Sequence, residues 1–226
     1  MAGGPSRRPT IGPVVFASSP SAGVSALCVI VAYLLGTFPT ALLVTRRRGV
    51  DPTRAGSGNP GATNVLRTAG KRAGVATLVG DVAKGALAAG GGWLVGGHGL
   101  GVACGVAAVV GHVLPVTRGL RGGKGVATGA GMAAVLYPVA MALAGLGFAA
   151  VVVATRTVSL ASIVAVALLA PLAAALGAPG WEVAALGLCA VLVVARHRDN
   201  IARIRRGDER RLGAPQPRAD DSVNRH

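Results

Sequence analysis

The sequence predicts an all-α, polytopic integral membrane protein, and three observations carry that prediction. Hydrophobic residues make up 52% of the 226 positions and charged residues only 14%, where soluble domains carry roughly a quarter charged. The apolar residues fall in long runs, and a bilayer-spanning helix needs about 20 of them in succession. The positive charge, a net +15, is gathered into short clusters between those runs, which is how membrane proteins carry basic loops. Nucleic acid is therefore not expected as a partner. With 35 Gly and only 3% aromatic residues, the helices are expected to pack backbone against backbone, not around a thick aromatic core.

Residues 1–23 contain Arg7 and Arg8 followed by a Pro/Gly/Ser-rich stretch and read as a flexible N-terminal extension. Residues 24–209 form the membrane-embedded domain, and 210–226 a disordered basic tail. Within the domain lie six apolar segments, at 24–45, 73–97, 99–117, 126–155, 157–178 and 181–195. Basic regions separate them: 46–72 with seven Lys/Arg, 118–124 with three, and 196–226 with nine. The positive-inside rule puts all three regions in the cytoplasm.

Parity then tests the segment count. Two segments between the first and second basic regions return the chain to the same side, but three between the second and third do not. The segment 126–155 is too long for one span and is interrupted at Tyr137-Pro138, where proline removes a donor and restricts the residue before it. Splitting it leaves a 126–136 piece of about 16 Å, too short for a core of about 30 Å and hence re-entrant or buried among other helices. The expectation is seven helices including that short piece, with the N-terminus outside, the C-terminus cytoplasmic and Arg156 on the cytoplasmic side; five spans preserve the same sidedness. Gly92/Gly96, Gly101/Gly105 and Gly125/Gly129 are the expected close-packing points.

Three polar clusters carry the chemistry. The first reads Gly56-Ser57-Gly58-Asn59-Pro60-Gly61-Ala62-Thr63-Asn64-Val65-Leu66-Arg67; its glycines allow backbone N–H groups to converge on an anion, and the same pattern suits a solvated turn. The second holds His112, Pro115 and Arg118, then Arg121-Gly122-Gly123-Lys124-Gly125-Val126. A Walker A loop needs Gly six residues before its Lys and Ser/Thr directly after it, and Arg118 and Gly125 stand in those places, so ATP hydrolysis has no support. A glycine turn feeding a helix still suits an anion, as it also suits lipid headgroups. The third, Arg196-His197-Arg198-Asp199-Asn200-Ile201, puts His197 and Asn200 three apart on one helix face, while Arg203 to Arg211 reads as a stop-transfer run. Asp81 and Lys84, three apart, are expected to pair and orient the loop before their helix. His112 is either a ligand or a satisfied helix-end residue. Cys28, Cys104 and Cys189 lie in apolar runs without a C-x-x-C pair, and the sparse carboxylates offer no ligand set for a metal.

Taken in order, S-G-N-x-G-A-T-N-V-x-R, then G-H-x-x-P-V with G-G-K-G-V-A-T, then R-H-R-x-N-I with G-x-E, the chain resembles the bacterial acyl-phosphate:glycerol-3-phosphate acyltransferases, the PlsY family, from about Ala32 to Glu209. The resemblance implies a cofactor-free integral enzyme of the bacterial cytoplasmic membrane, with seven helices and a cytoplasmic active site. Its reaction moves a fatty acyl group from acyl phosphate to the 1-hydroxyl of glycerol 3-phosphate, giving lysophosphatidate and phosphate for phospholipid synthesis. Besides those substrates and membrane lipids no partner is implied. By the same resemblance Ser57, Lys124, His197 and Asn200 are the catalytic set. Arg67, Asn59, Thr63, Asn64, Gly122, Gly123, Gly125 and His112 are expected to bind phosphate or substrate, and Glu209, Asp81 and Lys84 to give structural support. Pro60, Thr117-Arg118 and Arg121 depart from the family pattern without removing a functional group. From another class, an anion transporter or channel also suits short helices and a basic glycine loop. It fits less well, because the polar motifs share one face and Glu182 reads as isolated.

Overall fold

The computed structural model describes residues 20–213, and every regular element among them is helical. The expected extension 1–23 and tail 210–226 lie almost wholly outside the described residues. Helix α1 (Ala22–Gly36) opens with the Ser21 hydroxyl accepting the Val24 N–H at 3.3 Å, a side-chain N-cap. The first apolar run does not continue as one rod: it breaks at Thr37 to Pro39 and resumes as α2 (Thr40–Arg46), because Pro39 lacks an N–H and disfavours helix at Phe38. The first polar cluster ends in α3 (Ala62–Ala69).

Helix α4 (Lys71–Val113) holds 43 residues but is two arms. Gly96 and Gly97 leave helical geometry, Gly97 with φ of 78°, a region where only glycine is unstrained. The arms fold back on each other, bringing Gly101 against the Ala89 carbonyl and Gly92 against Leu100 and Cys104. They correspond to the expected segments 73–97 and 99–117.

A 3₁₀ turn (Val116–Arg118) leads to α5 (Val126–Leu136), and Tyr137, with φ of −136° and ψ of 59°, separates it from α6 (Pro138–Thr155). The break falls at the proline that the sequence marks. Helix α5 is clasped by both arms of α4, with Gly85 against the Thr128 carbonyl, Gly131 against the Val82 carbonyl and Gly105 against Met132. Helices α7 (Val158–Ala175), α8 (Gly180–Ala195) and α9 (Arg198–Arg206) complete the chain. By length and composition Ala22–Arg46, Lys71–Arg118, Pro138–Thr155 and Val158–Ala175 can each cross a bilayer, and α8 with α9 forms a fifth candidate bent by 58°.

The two ends of the bundle differ. At one end lie α2, α3, α9 and the loops between them, with Arg156 among them because its carbonyl accepts the Leu212 N–H at 2.7 Å. At the other end Glu182 is not isolated, contrary to the sequence reading. It accepts hydrogen bonds from the Tyr137 hydroxyl at 2.6 Å and from His98 Nδ1 at 3.0 Å, and the other nitrogen of His98 lies 3.1 Å from the Leu136 carbonyl. Of the six expected glycine contacts Gly129 is loose, its nearest neighbour 3.9 Å from an added Cβ. The tightest helix-to-helix approaches are Gly36, Gly85, Gly111 and Gly131, each against a backbone carbonyl of another helix.

Adding a methyl at Gly85 or Gly131 forces α4 and α5 apart, and overpacking of this kind costs about 1–3 kcal/mol. Gly85→Ala and Gly131→Ala are expected to lower the thermal unfolding temperature in detergent. Gly91→Ala, with open space around the new methyl, leaves it unchanged or raises it.

Candidate active site

The three polar clusters meet around one cavity of about 500 Å³. Its polar end is lined by Ser57, Asn59, Thr63, Asn64, Arg67, Asp81, His112, Lys124, His197, Asn200 and Glu209. Its other end runs between α4, α5, α6, α7 and α8 past Leu78, Met132, Phe148, Leu169 and Leu186. Every side chain the sequence reading named for catalysis or substrate binding therefore borders the same chamber, as does the backbone at Gly125.

Asn64 builds the first wall. Its amide donates to the Pro52 and Ala55 carbonyls at 2.9 and 3.0 Å, and its oxygen accepts the Ser57 N–H at 2.9 Å. The buried amide is thus spent on the loop, so Asn64 positions Ser57 and offers a ligand no free donor. Ser57 is exposed at the chamber mouth and Asn59 and Thr63 are half-buried. Arg67, on α3, reaches across to the Arg210 carbonyl at 3.5 Å.

The glycine loop departs from its expected role. The N–H groups of Gly122 and Gly123 donate to the Val113 and His112 carbonyls, each at 3.1 Å, so they are not a phosphate cradle. Both positions are glycine for want of space: an added Cβ at Gly122 falls on the His112 carbonyl, and one at Gly123 on the His112 ring. Gly125, with φ of 89°, is the N-cap of α5, and the unpaired N–H groups of the first turn border the chamber at Val126 and Ala127. The loop is clamped from α8 by Arg196, whose guanidinium donates to the Gly122 carbonyl at 2.9 Å and the Gly123 carbonyl at 3.4 Å. The sequence reading gave Arg196 no role, although its place beside His197 was the available signal.

Lys124, freed of backbone duties, donates to the Asn200 side-chain oxygen. Asn200 in turn donates to Glu209 at 2.6 Å, and Glu209 also accepts from Ser159 at 2.9 Å and Arg203 at 2.7 Å. Burial pushes the Lys124 ammonium down to about 8, with Glu209 pulling it the other way. Burial also works to raise the Glu209 carboxyl, but the hydrogen bonds from Asn200, Ser159 and Arg203 outweigh it and hold it below the usual carboxylate range. His197, 2% exposed, donates from Nδ1 to the Val193 carbonyl at 2.7 Å, which leaves Nε2 as the acceptor. Burial lowers its pKa to about 4 against the pull of that bond, so the ring is neutral at pH 7.

Asp81 and Lys84 pair at 2.9 Å with side chains 4% exposed. Lys84 also reaches the Phe38 carbonyl at 3.3 Å, so the pair secures the α1–α2 break and not the loop before α4, as the sequence reading expected. His112 lies with Nδ1 at 3.7 Å from Asp81 and its ring beneath Gly123. Among the described residues no three His, Cys, Asp or Glu side chains gather to hold a metal.

Residues 26–207 match the family model described as glycerol-3-phosphate acyltransferase. The chain is 47% identical over 195 residues to the glycerol-3-phosphate acyltransferase of Desulforudis audaxviator, covering 84% of this chain and 98% of that one. It is 46% identical to the protein of that name from Pseudomonas paraeruginosa, covering 81% and 97%. The fold is similar to the crystal structure of PlsY, an integral membrane glycerol 3-phosphate acyltransferase, in its glycerol 3-phosphate form. That likeness has a TM-score of 0.81 and 36% identity, over 84% of this chain and 96% of that one. A lysophosphatidic acid form of PlsY superposes with a TM-score of 0.79.

Because Arg196 holds both glycine carbonyls, Arg196→Gln is expected to speed amide hydrogen exchange across residues 118–125 and to destabilise the fold by about 1–3 kcal/mol, the range for losing charge-assisted hydrogen bonds. Arg198→Gln, at an exposed pair with Asp199, leaves exchange in that loop unchanged.

Proposed function

Because the chain belongs to the glycerol-3-phosphate acyltransferase family, we propose that it transfers a fatty acyl group from acyl phosphate to the 1-hydroxyl of glycerol 3-phosphate. The products are lysophosphatidate and inorganic phosphate, the first acylation of phospholipid synthesis. One observation carries this reading: a single chamber joins a cationic, amide-lined end to an apolar slot between helices. A substrate with a phosphate head and a long chain needs both ends at once. The membrane-embedded unit is residues 24–209, with seven membrane helices: α1, each arm of α4, the short α5, α6, α7 and α8. The N-terminus lies outside, and the polar end faces the cytoplasm of a bacterial inner membrane. Clustering of the basic loops at one end of the bundle supports that sidedness.

In the chamber Arg67 and Lys124 neutralise phosphate, Arg by its planar fork and Lys as a point charge. Ser57 and Asn59 donate hydrogen bonds at the mouth, and the first turn of α5 adds backbone N–H groups and the favourable end of its dipole. The glycerol hydroxyl oxygen attacks the acyl carbonyl carbon, a new C–O ester bond forms, and the C–O bond to phosphate breaks, releasing phosphate. Acyl phosphate is already an activated mixed anhydride, so alignment of the two reactants supplies much of the acceleration. His197 accepts the hydroxyl hydrogen bond at Nε2 and aims the oxygen. With a pKa near 4 it is a poor final proton acceptor beside a phosphate group titrating near 6, so the proton ends on phosphate oxygen. Asn200 holds Lys124 in register, and Glu209 holds Asn200.

Purified protein in lipid nanodiscs, given labelled glycerol 3-phosphate, is expected to make lysophosphatidate from acyl phosphate and none from acyl-CoA. Lys124→Ala is expected to lower kcat/KM by about 10²–10³, the scale for removing a group that stabilises developing charge. A folded protein without product, or an acyl-Ser57 intermediate, overturns the reading.

Lys124 binds phosphate only as the ammonium and titrates near 8 in the free enzyme. kcat/KM is therefore expected to fall as pH rises through about 8, approaching tenfold per pH unit above it. Lys124→Arg, whose charge persists to higher pH, moves that limb upward.

A further inference from the structure

Beside the reaction chamber lies a second, polar basin of about 690 Å³, and the two share Ser57, Asn59, Lys124, Asn200 and Arg203 along their common wall. We propose that this basin is a phosphate-binding site in its own right, in which Arg118 and Arg121 hold a phosphate dianion just outside the chamber. The dianion is the head of glycerol 3-phosphate on its way in or inorganic phosphate on its way out. The inference rests on the acyl-transfer reading for those two sources only.

Of the cations around the basin, two stand without a partner. Seven cations line it: Arg54, Arg118, Arg121, Lys124, Arg196, Arg198 and Arg203. Four are engaged elsewhere: Arg54 faces Asp51 at 3.6 Å, Arg198 faces Asp199 at 3.6 Å, Arg203 bonds Glu209, and Arg196 is spent on two carbonyls. The basin's two carboxylates, Asp51 and Asp199, are thereby already answered. Lys124 belongs to the chamber. Arg118 and Arg121 remain, and among the described residues neither has a carboxylate partner.

Arg118 goes further. Its Nε is buried with no acceptor among the described residues, and a buried guanidinium N–H without an acceptor is costly. The loop is built to hold this arginine at the basin floor. The 3₁₀ turn ends at Arg118, and Gly119 and Leu120 then turn back through positive φ of 56° and 62°. A phosphate dianion in the basin answers the two free charges of Arg118 and Arg121. The shared wall then hands the head group to Lys124 without a return to bulk water.

The test uses the protein in phosphatidylcholine nanodiscs with radiolabelled inorganic phosphate and no acyl donor, so binding is read whether or not turnover occurs. The wild type is expected to bind phosphate in two classes of site. Lys124→Ala keeps one class; Arg118→Gln/Arg121→Gln loses that class; Arg118→Lys/Arg121→Lys, which keeps the charge, retains most of it and controls for folding. If glycerol 3-phosphate is the source, the Gln pair raises its KM about tenfold; if departing phosphate is, the pair weakens product inhibition by phosphate by a similar factor. Unchanged phosphate binding in the Gln pair overturns the proposal. So does a difference that appears only when anionic lipid is added, because the two arginines then serve headgroups. Phosphate binding as expected with no acyl transfer leaves the basin standing and overturns the reading of the chamber.

Discussion

In the proposed reaction a cation receives a phosphate, so it has to be held in place without being neutralised, and much of the site follows from that constraint. Lys124 is fixed by the oxygen of a neutral amide, Asn200, and the compensating carboxylate, Glu209, stands one residue further back. Arg67 likewise rests on a backbone carbonyl. Where a cation serves only the fold, the pairing is direct: Lys84 with Asp81 and Arg203 with Glu209. Dipoles orient a charge without cancelling it, whereas a buried ion pair closes the account between its two members. The distinction separates the residues proposed to meet substrate from the residues that hold them, although all are basic and all line or flank one cavity.

Holding Lys124 by Asn200 requires the loop before α5 and the start of α9 to meet at a fixed separation, and glycine packing provides it. Gly85 and Gly131 let α4 and α5 approach to backbone contact, while Gly36 and Gly111 do the same for α1 and α4. Such interlocking is the membrane substitute for a hydrophobic driving force between helices, since lipid tails are as apolar as side chains. Gly122 and Gly123 extend the same principle into the loop: they are small so that His112 can sit beneath them, and their N–H groups are consumed in keeping them there.

The sequence made legible whatever depends on local chemistry. Pro138 announced the end of α5, and the three motifs announced the residues that line the chamber, because a proline or a run of glycine with lysine carries its meaning within a few residues. It did not make legible what depends on distant partners. The Gly-Gly-Lys-Gly turn looks like an anion nest, yet two of its N–H groups pair with carbonyls some ten residues upstream, and periodicity does not reveal such pairing. Asn64 reads as a ligand and is a brace, since its three partners lie in a loop of irregular backbone. Pro39 carries the same local signal as Pro138, but it was absorbed into a run whose overall hydropathy dominated. Glu182 looked isolated because Tyr137 and His98 lie 45 and 84 residues away.

That distant cluster explains how a helix as short as α5 can exist. Thr128 packs against Gly85, so the loop carrying Lys124 sits near the level of Asp81, ten residues or about 15 Å along α4 from Lys71. The polar end of the chamber is thereby sunk into the bundle, where it can meet an acyl chain lying between the helices. A helix that begins so deep reaches only about 16 Å before its C-terminal carbonyls need partners, and inside an apolar bundle no water supplies them. His98 serves the Leu136 carbonyl, and Glu182 fixes both His98 and the Tyr137 hydroxyl at the break. The polar cluster at the far end is thus the structural counterpart of the chamber: it anchors the short helix whose other end delivers Lys124.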